Sequence, residues 1–149
     1  MSTSAPSGEY RVTDQVGHLL RRAYQRHTAI FQAVVPASQL SASQFVVLCA
    51  VRDAPGATIA QIVTVTAMDE PAVRGIVERL RWSGQVTVAH EPGDKRHATV
   101  TLTPHGQDTI AQTLPHAQQI TEMTFGDLNE QERRQLTHLL RRISGAEAG

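Results

Sequence analysis

The segment from Thr58 to Gly106 constrains the fold more than any other part of the chain. It begins with a short apolar-periodic run, Thr58 to Val65, with Ile59, Ile62 and Val63 on one side. Thr66-Ala67-Met68 breaks that run. Asp69 is placed to cap a second helix, which carries Pro71 in its first turn, where a missing N–H costs nothing. That helix runs to Trp82, and Gly84 stops it. Gln85 to His90 and Ala98 to Leu102 then alternate with β-branched residues and read as two strands. The connection from Glu91 to His97 carries Asp94, Lys95 and Arg96, and is expected to be a loop with a basic tip.

The flanks are helical. Val12 to Val34 repeats Val16, Leu19, Leu20, Ala23, His27, Ile30, Phe31 and Val34 at steps that suit one helix face, and Pro36 ends it. Ser41 to Asp53 is a second helix with Ser41 or Ser43 as cap, and Asp53-Ala54-Pro55-Gly56 is a turn. Thr103-Pro104 opens a long helix to about Phe125, in which Pro115 should bend or break the run. Asn129, with Glu132 three residues on, caps a last helix striped by Leu136, Leu139, Leu140 and Ile143.

At 149 residues, with 40% hydrophobic and 19% charged residues, the chain suits one globular domain. It is read as a loose tail over 1–9 and a single domain over 10–149. Within that domain, 40–103 forms a lobe, and 10–35 and 104–145 are helices with surplus apolar surface. No run approaches the roughly 18 apolar residues of a membrane helix. The start lacks the basic and apolar parts of a signal peptide, and the lone Cys49 fits a reducing cytoplasm, so a cytoplasmic protein is expected.

The outer face of the helix after Asp69 carries the chemistry. Val73, Ile76, Val77 and Leu80 fall on one stripe at about 100° per residue and must face the core. Opposite them lie Pro71, Gly75 and Glu78, flanked by Ala72, Arg74 and Arg79. Small residues there let a helix approach a groove floor. Arg74 can reach base edges or phosphate, and Arg79 phosphate. Glu78 could accept from a cytosine amine, but pairing along the helix with Arg74 or Arg81 is the preferred reading. Arg96 at a hairpin tip can enter a narrow minor groove, with Lys95 beside it and Asp94 placed to align its guanidinium. The net charge is zero, so the case for DNA rests on where the arginines lie rather than on their sum. The fold class is mostly α with a small β-hairpin: a winged helix-turn-helix lobe joined to a helical dimerisation region.

These residues resemble the MarR family of transcriptional regulators. Leu40 to Phe45 resembles the start of that family's second helix. Val73 through Leu80 resembles its recognition helix. Gly84, Asp94-Lys95-Arg96, Leu102-Thr103 and Gly106 resemble its wing, and Leu128 through Leu136 its last helix. The match covers about residues 12 to 143. It departs at Pro71 and Ala72, where many members have serine or threonine, and at Gly75, where a polar or basic residue is common. The resemblance implies a dimer on a pseudo-palindromic operator in double-stranded DNA, with Arg96 as the minor-groove arginine and Asp94 as its partner. It also implies a repressor released by a small aromatic carboxylate.

The first helix clusters His18, Arg21, Arg22, Tyr24, Arg26 and His27. Arginine is not cheaply buried without an anion. Given where family members bind aromatic acids, His18 and Arg22, then Arg21, are the expected carboxylate ligands, with Phe45, Leu48 and Cys49 as apolar wall. A solvated basic face touching phosphates is the alternative. Gln15 to Phe31 resembles regulators of aromatic or pyridine carboxylate breakdown, including nicotinate pathways.

Enzyme readings find no G-x-S-x-G, phosphate loop or H-E-x-x-H. No cofactor and no metal are assigned. A zinc-sensing regulator is kept as the alternative because seven histidines are present, although no pair has strong zinc spacing.

Overall fold

A computed structural model describes residues 9–36 and 40–145, apart from the side chains of Glu91, Asp94, Lys95 and Arg96. The tail expected over 1–9 lies, but for Glu9, outside the described residues. The described chain contains a 3-10 turn at Val12–Asp14 and helices α1 (Val16–Val34), α2 (Ala42–Asp53), α3 (Ile59–Thr66) and α4 (Glu70–Trp82). Strands β1 (Ala57–Thr58), β2 (Val86–Glu91) and β3 (Asp94–Leu102) form one sheet, and α5 (Pro104–Phe125) and α6 (Glu130–Ser144) follow it.

The caps set most of these boundaries. Ser41, Thr58 and Asn129 each accept from the backbone N–H three residues on, and Gln44, Gln61 and Glu132 return the bond to the cap's own N–H. These reciprocal pairs satisfy donors that a helix start otherwise leaves open. Between α3 and α4, Ala67 sits at φ 59°, a left-handed conformation that costs a non-glycine residue about 1–2 kcal/mol. Its N–H still reaches the Val63 carbonyl at 3.0 Å, which closes α3 tightly enough for Asp69 to start α4 two residues later.

Two readings of the sequence change. The first helix does not begin at Val12, because a 3-10 turn precedes α1. The loop expected from Glu91 to His97 is mostly strand. β3 starts at Asp94 and pairs Asp94 with Glu91 across the turn, with a register shift between Ala89 and Glu91. β1 was not expected. It pairs Ala57 with Val100 and Thr58 with Thr99, giving the order β1-β3-β2.

The apolar residues form two clusters. The larger joins Val47, Leu48 and Val51 of α2, Ile62 of α3, Val73, Val77 and Leu80 of α4, Val86 and Val100 of the sheet, and Ile110 of α5. The smaller joins Phe31 and Val35 with Ala42 and Ile120. Phe45 packs against both. In contrast, α6 has no buried residue at all.

A candidate DNA interface and a divided cationic helix

α4 is held from behind and open in front. Val73 and Leu80 are fully buried, with Ile76 and Val77 beside them, so the rotation of the helix is fixed. Asp69 Oδ1 accepts the Ala72 N–H at 2.8 Å and anchors the start. Pro71, Arg74, Gly75, Glu78 and Arg79 are all exposed on the other side. A β-carbon built on Gly75 would meet no atom within 4 Å, so nothing inside the fold requires a glycine there. The helix surface it leaves low is free for an outside partner.

The exposed charges are not equivalent. Arg74 lies 3.6 Å from Glu70 one turn back, both side chains more than half exposed. Such a surface pair is worth about 0–1 kcal/mol, so a phosphate or a guanine edge can displace it. Arg79 makes no ion pair among the described residues. Glu78 is committed: the Arg81 guanidinium bonds both of its oxygens, and the Trp82 indole N–H donates to it at 3.0 Å. The Arg81 bond holds the Glu78 carboxyl below the ordinary range. Arg81 also lies 5.6 Å from the centre of the Trp82 ring. The structure therefore supports the intrahelical reading of Glu78. Trp82 was not anticipated as its second partner, although the i, i+4 spacing was there to be used.

The wing is positioned through its backbone. Asp94, Lys95 and Arg96 are the first residues of β3, directly after the Pro92-Gly93 turn. The expected Asp94–Arg96 alignment involves side chains outside those described. At the other end of β3, Thr103 locks the sheet to α5. Its Oγ1 donates to the Gly84 carbonyl at 2.6 Å and accepts the Gly106 N–H. A β-carbon on Gly106 would lie 2.2 Å from the Gln85 carbonyl oxygen, so only glycine fits that approach.

The cationic cluster of α1 divides. Arg26 is not waiting for an anion: its guanidinium donates to the carbonyls of Met123 and Thr124, each at 2.6 Å, and so caps α5. His27 Nδ1 lies 2.9 Å from Thr124 Oγ1. That hydroxyl already donates to the Ile120 carbonyl, so it accepts here and His27 carries its proton on Nδ1. Arg21 and Arg22 are exposed, and His18 is half-buried with a buried Nε2 that has no hydrogen-bond partner.

The residues expected as apolar wall lie in or against the two apolar clusters. Leu48 is wholly buried in the larger cluster, and Cys49 packs against that cluster, where burial pushes its thiol pKa up. The Phe45 ring stacks 5.9 Å from Phe31. Phe31 lies nine residues beyond Arg22, about 13 Å along the helix. What α1 does line is an apolar groove of about 790 Å3 shared with α5 and α6, walled by Leu20, Tyr24, Phe125, Leu136, Leu140 and Ile143. Among the described residues, no three of His, Cys, Asp and Glu converge to hold a metal, so the zinc alternative has no geometric support. No helix among them is long and apolar enough to cross a membrane.

No family model matched the chain. A structure of a mutant MarR from E. coli complexed with operator DNA superimposes with a TM-score of 0.78 at 25% identity, covering 90% of this chain and 99% of that one. The HTH-type transcriptional repressor NicR of Pseudomonas putida is 46% identical over 143 residues, spanning 95% of this chain and 90% of its own. The chain belongs to the MarR family of transcriptional regulators. Within the family it is also similar to Bordetella bronchiseptica BpsR, whose DNA binding is regulated by 6-hydroxynicotinic acid. That structure matches with a TM-score of 0.86 at 48% identity, over 93% of this chain and 99% of that one. As a MarR-family protein the chain is a DNA-binding regulator with a winged helix-turn-helix.

Proposed function

We propose that this MarR-family protein is a homodimeric cytoplasmic repressor. It would hold a pseudo-palindromic operator and release it when a hydroxylated pyridine or benzene carboxylate binds. The observation that carries the reading is a likeness, over nearly the whole chain, to a regulator whose DNA binding answers to 6-hydroxynicotinic acid. The geometry supports the DNA contact and the two-fold pairing. The lobe over 40–103 presents α4 with Arg74, Gly75 and Arg79 outward, and the Arg96 wing follows it. The helices over 10–35 and 104–145 carry apolar side chains that one chain leaves in water. A two-fold copy would bury them and set two recognition helices about one DNA turn apart.

For the effector, His18, Arg22 and Arg21 supply cationic and donor groups for a carboxylate, and the buried, partnerless Nε2 of His18 supports them. Because Phe45 stacks on Phe31, nine residues along α1 from Arg22, the apolar wall of that site would come in part from the second copy. The effector then needs only to favour a spacing of recognition helices that misfits the operator.

The test is anisotropy of labelled DNA from the region flanking the protein's own gene, titrated with 6-hydroxynicotinic acid, nicotinate, benzoate and cinnamate. Release by the hydroxypyridine acid, lost in His18→Ala and Arg22→Ala, is expected. Binding that none of the acids relieves would overturn the effector assignment.

A further inference from the structure

α5 belongs to two bodies at once. Its first half is fastened to the DNA lobe: Thr103 N–H donates to the Gln85 carbonyl at 3.1 Å, and Gly106 lies against that same carbonyl. Ile110 enters the larger cluster, and Thr113 is 1% exposed. Its second half is fastened to α1. Ile120 packs with Phe31 and Val35, and Arg26 and His27 bind the last turn.

Pro115 stands between these halves, at an exposed position inside an otherwise continuous helix. Proline brings no N–H to the Ala111 carbonyl, and its ring crowds that oxygen. Ala111 is exposed, so water can take the orphaned acceptor. Just upstream, two hydroxyls bond back into the ladder: Thr109 Oγ1 to the His105 carbonyl at 3.0 Å and Thr113 Oγ1 to the Thr109 carbonyl at 2.7 Å. Back-bonding of this kind also favours bending. The helix is therefore weakest where its attachment changes from one body to the other.

We infer that Pro115 is a hinge on which the DNA lobe turns against the end formed by α1, the second half of α5 and α6. A second link among the described residues is the first part of α2. Ala42 sits in the smaller cluster, Val47 in the larger, and Phe45 in contact with both, so Phe45 is the packing pivot opposite the helix break. α4 is joined to the first half of α5 through Gly84 and Gln85, so a change of angle at Pro115 carries the recognition helix with it. The hinge is a property of the single chain and does not depend on which effector binds.

Electron–electron distance measurements test it on the full chain. Nitroxides are placed at Ala60→Cys in α3 and Gln135→Cys in α6, in a Cys49→Ala background, with labelled chains diluted by unlabelled ones so that each distance is within a chain. Pro115→Ala restores the ladder and is expected to narrow the distance distribution by about a factor of two. Pro115→Gly removes the ring but keeps a soft helix, and should leave the distribution broad while lowering thermal stability. Equal widths in wild type and Pro115→Ala would show that packing alone holds the helix rigid, and would overturn the hinge.

Discussion

The DNA lobe and the α1/α5/α6 end both carry full apolar stripes but are finished to different degrees. In the lobe, Val47, Leu48, Val51, Val73, Leu80 and Val100 are all wholly buried, and every helix start there is capped. At the other end, Val16, Leu19, Leu20, Tyr24, Leu139 and Ile143 are each at least 40% exposed. The same physics that closes the first core leaves the second open, because α6 has a full apolar stripe that no described residue buries. One region closes its core within the chain; the other leaves an apolar face in water, which the proposed second copy would cover.

That contrast can be broken most sharply at α6. Leu139→Glu with Leu140→Glu should abolish dimers and weaken operator binding by about 10²–10⁴-fold, the loss expected when two linked half-site contacts become one. Circular dichroism should show the lobe still folded. A doubly substituted protein that binds as tightly as wild type would remove the interface from the account.

The converse change falls inside the lobe. Leu80→Ala should cost about 2–5 kcal/mol in urea unfolding through lost burial and a residual cavity. Sedimentation at concentrations where the variant stays folded should still show the wild-type oligomer. Smaller again are the changes on the face of α4. Arg74→Ala should lose about 1–3 kcal/mol on the preferred sequence and relax specificity. Arg79→Ala should weaken all sequences alike and lower the salt slope by about 1. Identical profiles for the two variants in salt-titrated anisotropy would erase that division of labour.

The smallest effect concerns Glu78. Arg81 depresses its carboxyl in the folded chain, so the pair's contribution is present above the unfolded carboxylate value, 4.5, and is lost as pH falls below it. Glu78→Gln should therefore lower stability slightly at neutral pH, converge on the wild type in acid, and so flatten the acid limb of a pH–stability profile. An unaltered acid limb would mean that the pair is only a surface contact.

Much of the fold was legible because its signals are local. Asn129 with Glu132, Asp69 before Pro71, and the stripe Val73, Ile76, Val77 and Leu80 depend only on spacing, and the helices lie where those signals put them. β1 was not legible, since two residues have no period and owe their strand to Thr99 and Val100, roughly forty residues on. Pro115 marked a break by local rules, yet tertiary packing on both sides carries α5 through it. The site was legible where it depends on one helix face and illegible where it depends on packing. Arg26 reads as part of a cationic cluster until α5 is seen to place two carbonyls against it, almost a hundred residues away in sequence. Leu48 reads equally as pocket wall or core, and only the fold shows that it is core.

The contrast between a finished lobe and an unfinished helical end is tested most directly by the mass of the wild-type protein in solution. Light scattering at micromolar concentration should return twice the mass of one chain, in the absence of DNA or effector. A single-chain mass would mean that the exposed stripe of α6 faces water by design, and the two-fold arrangement of recognition helices would have to be abandoned.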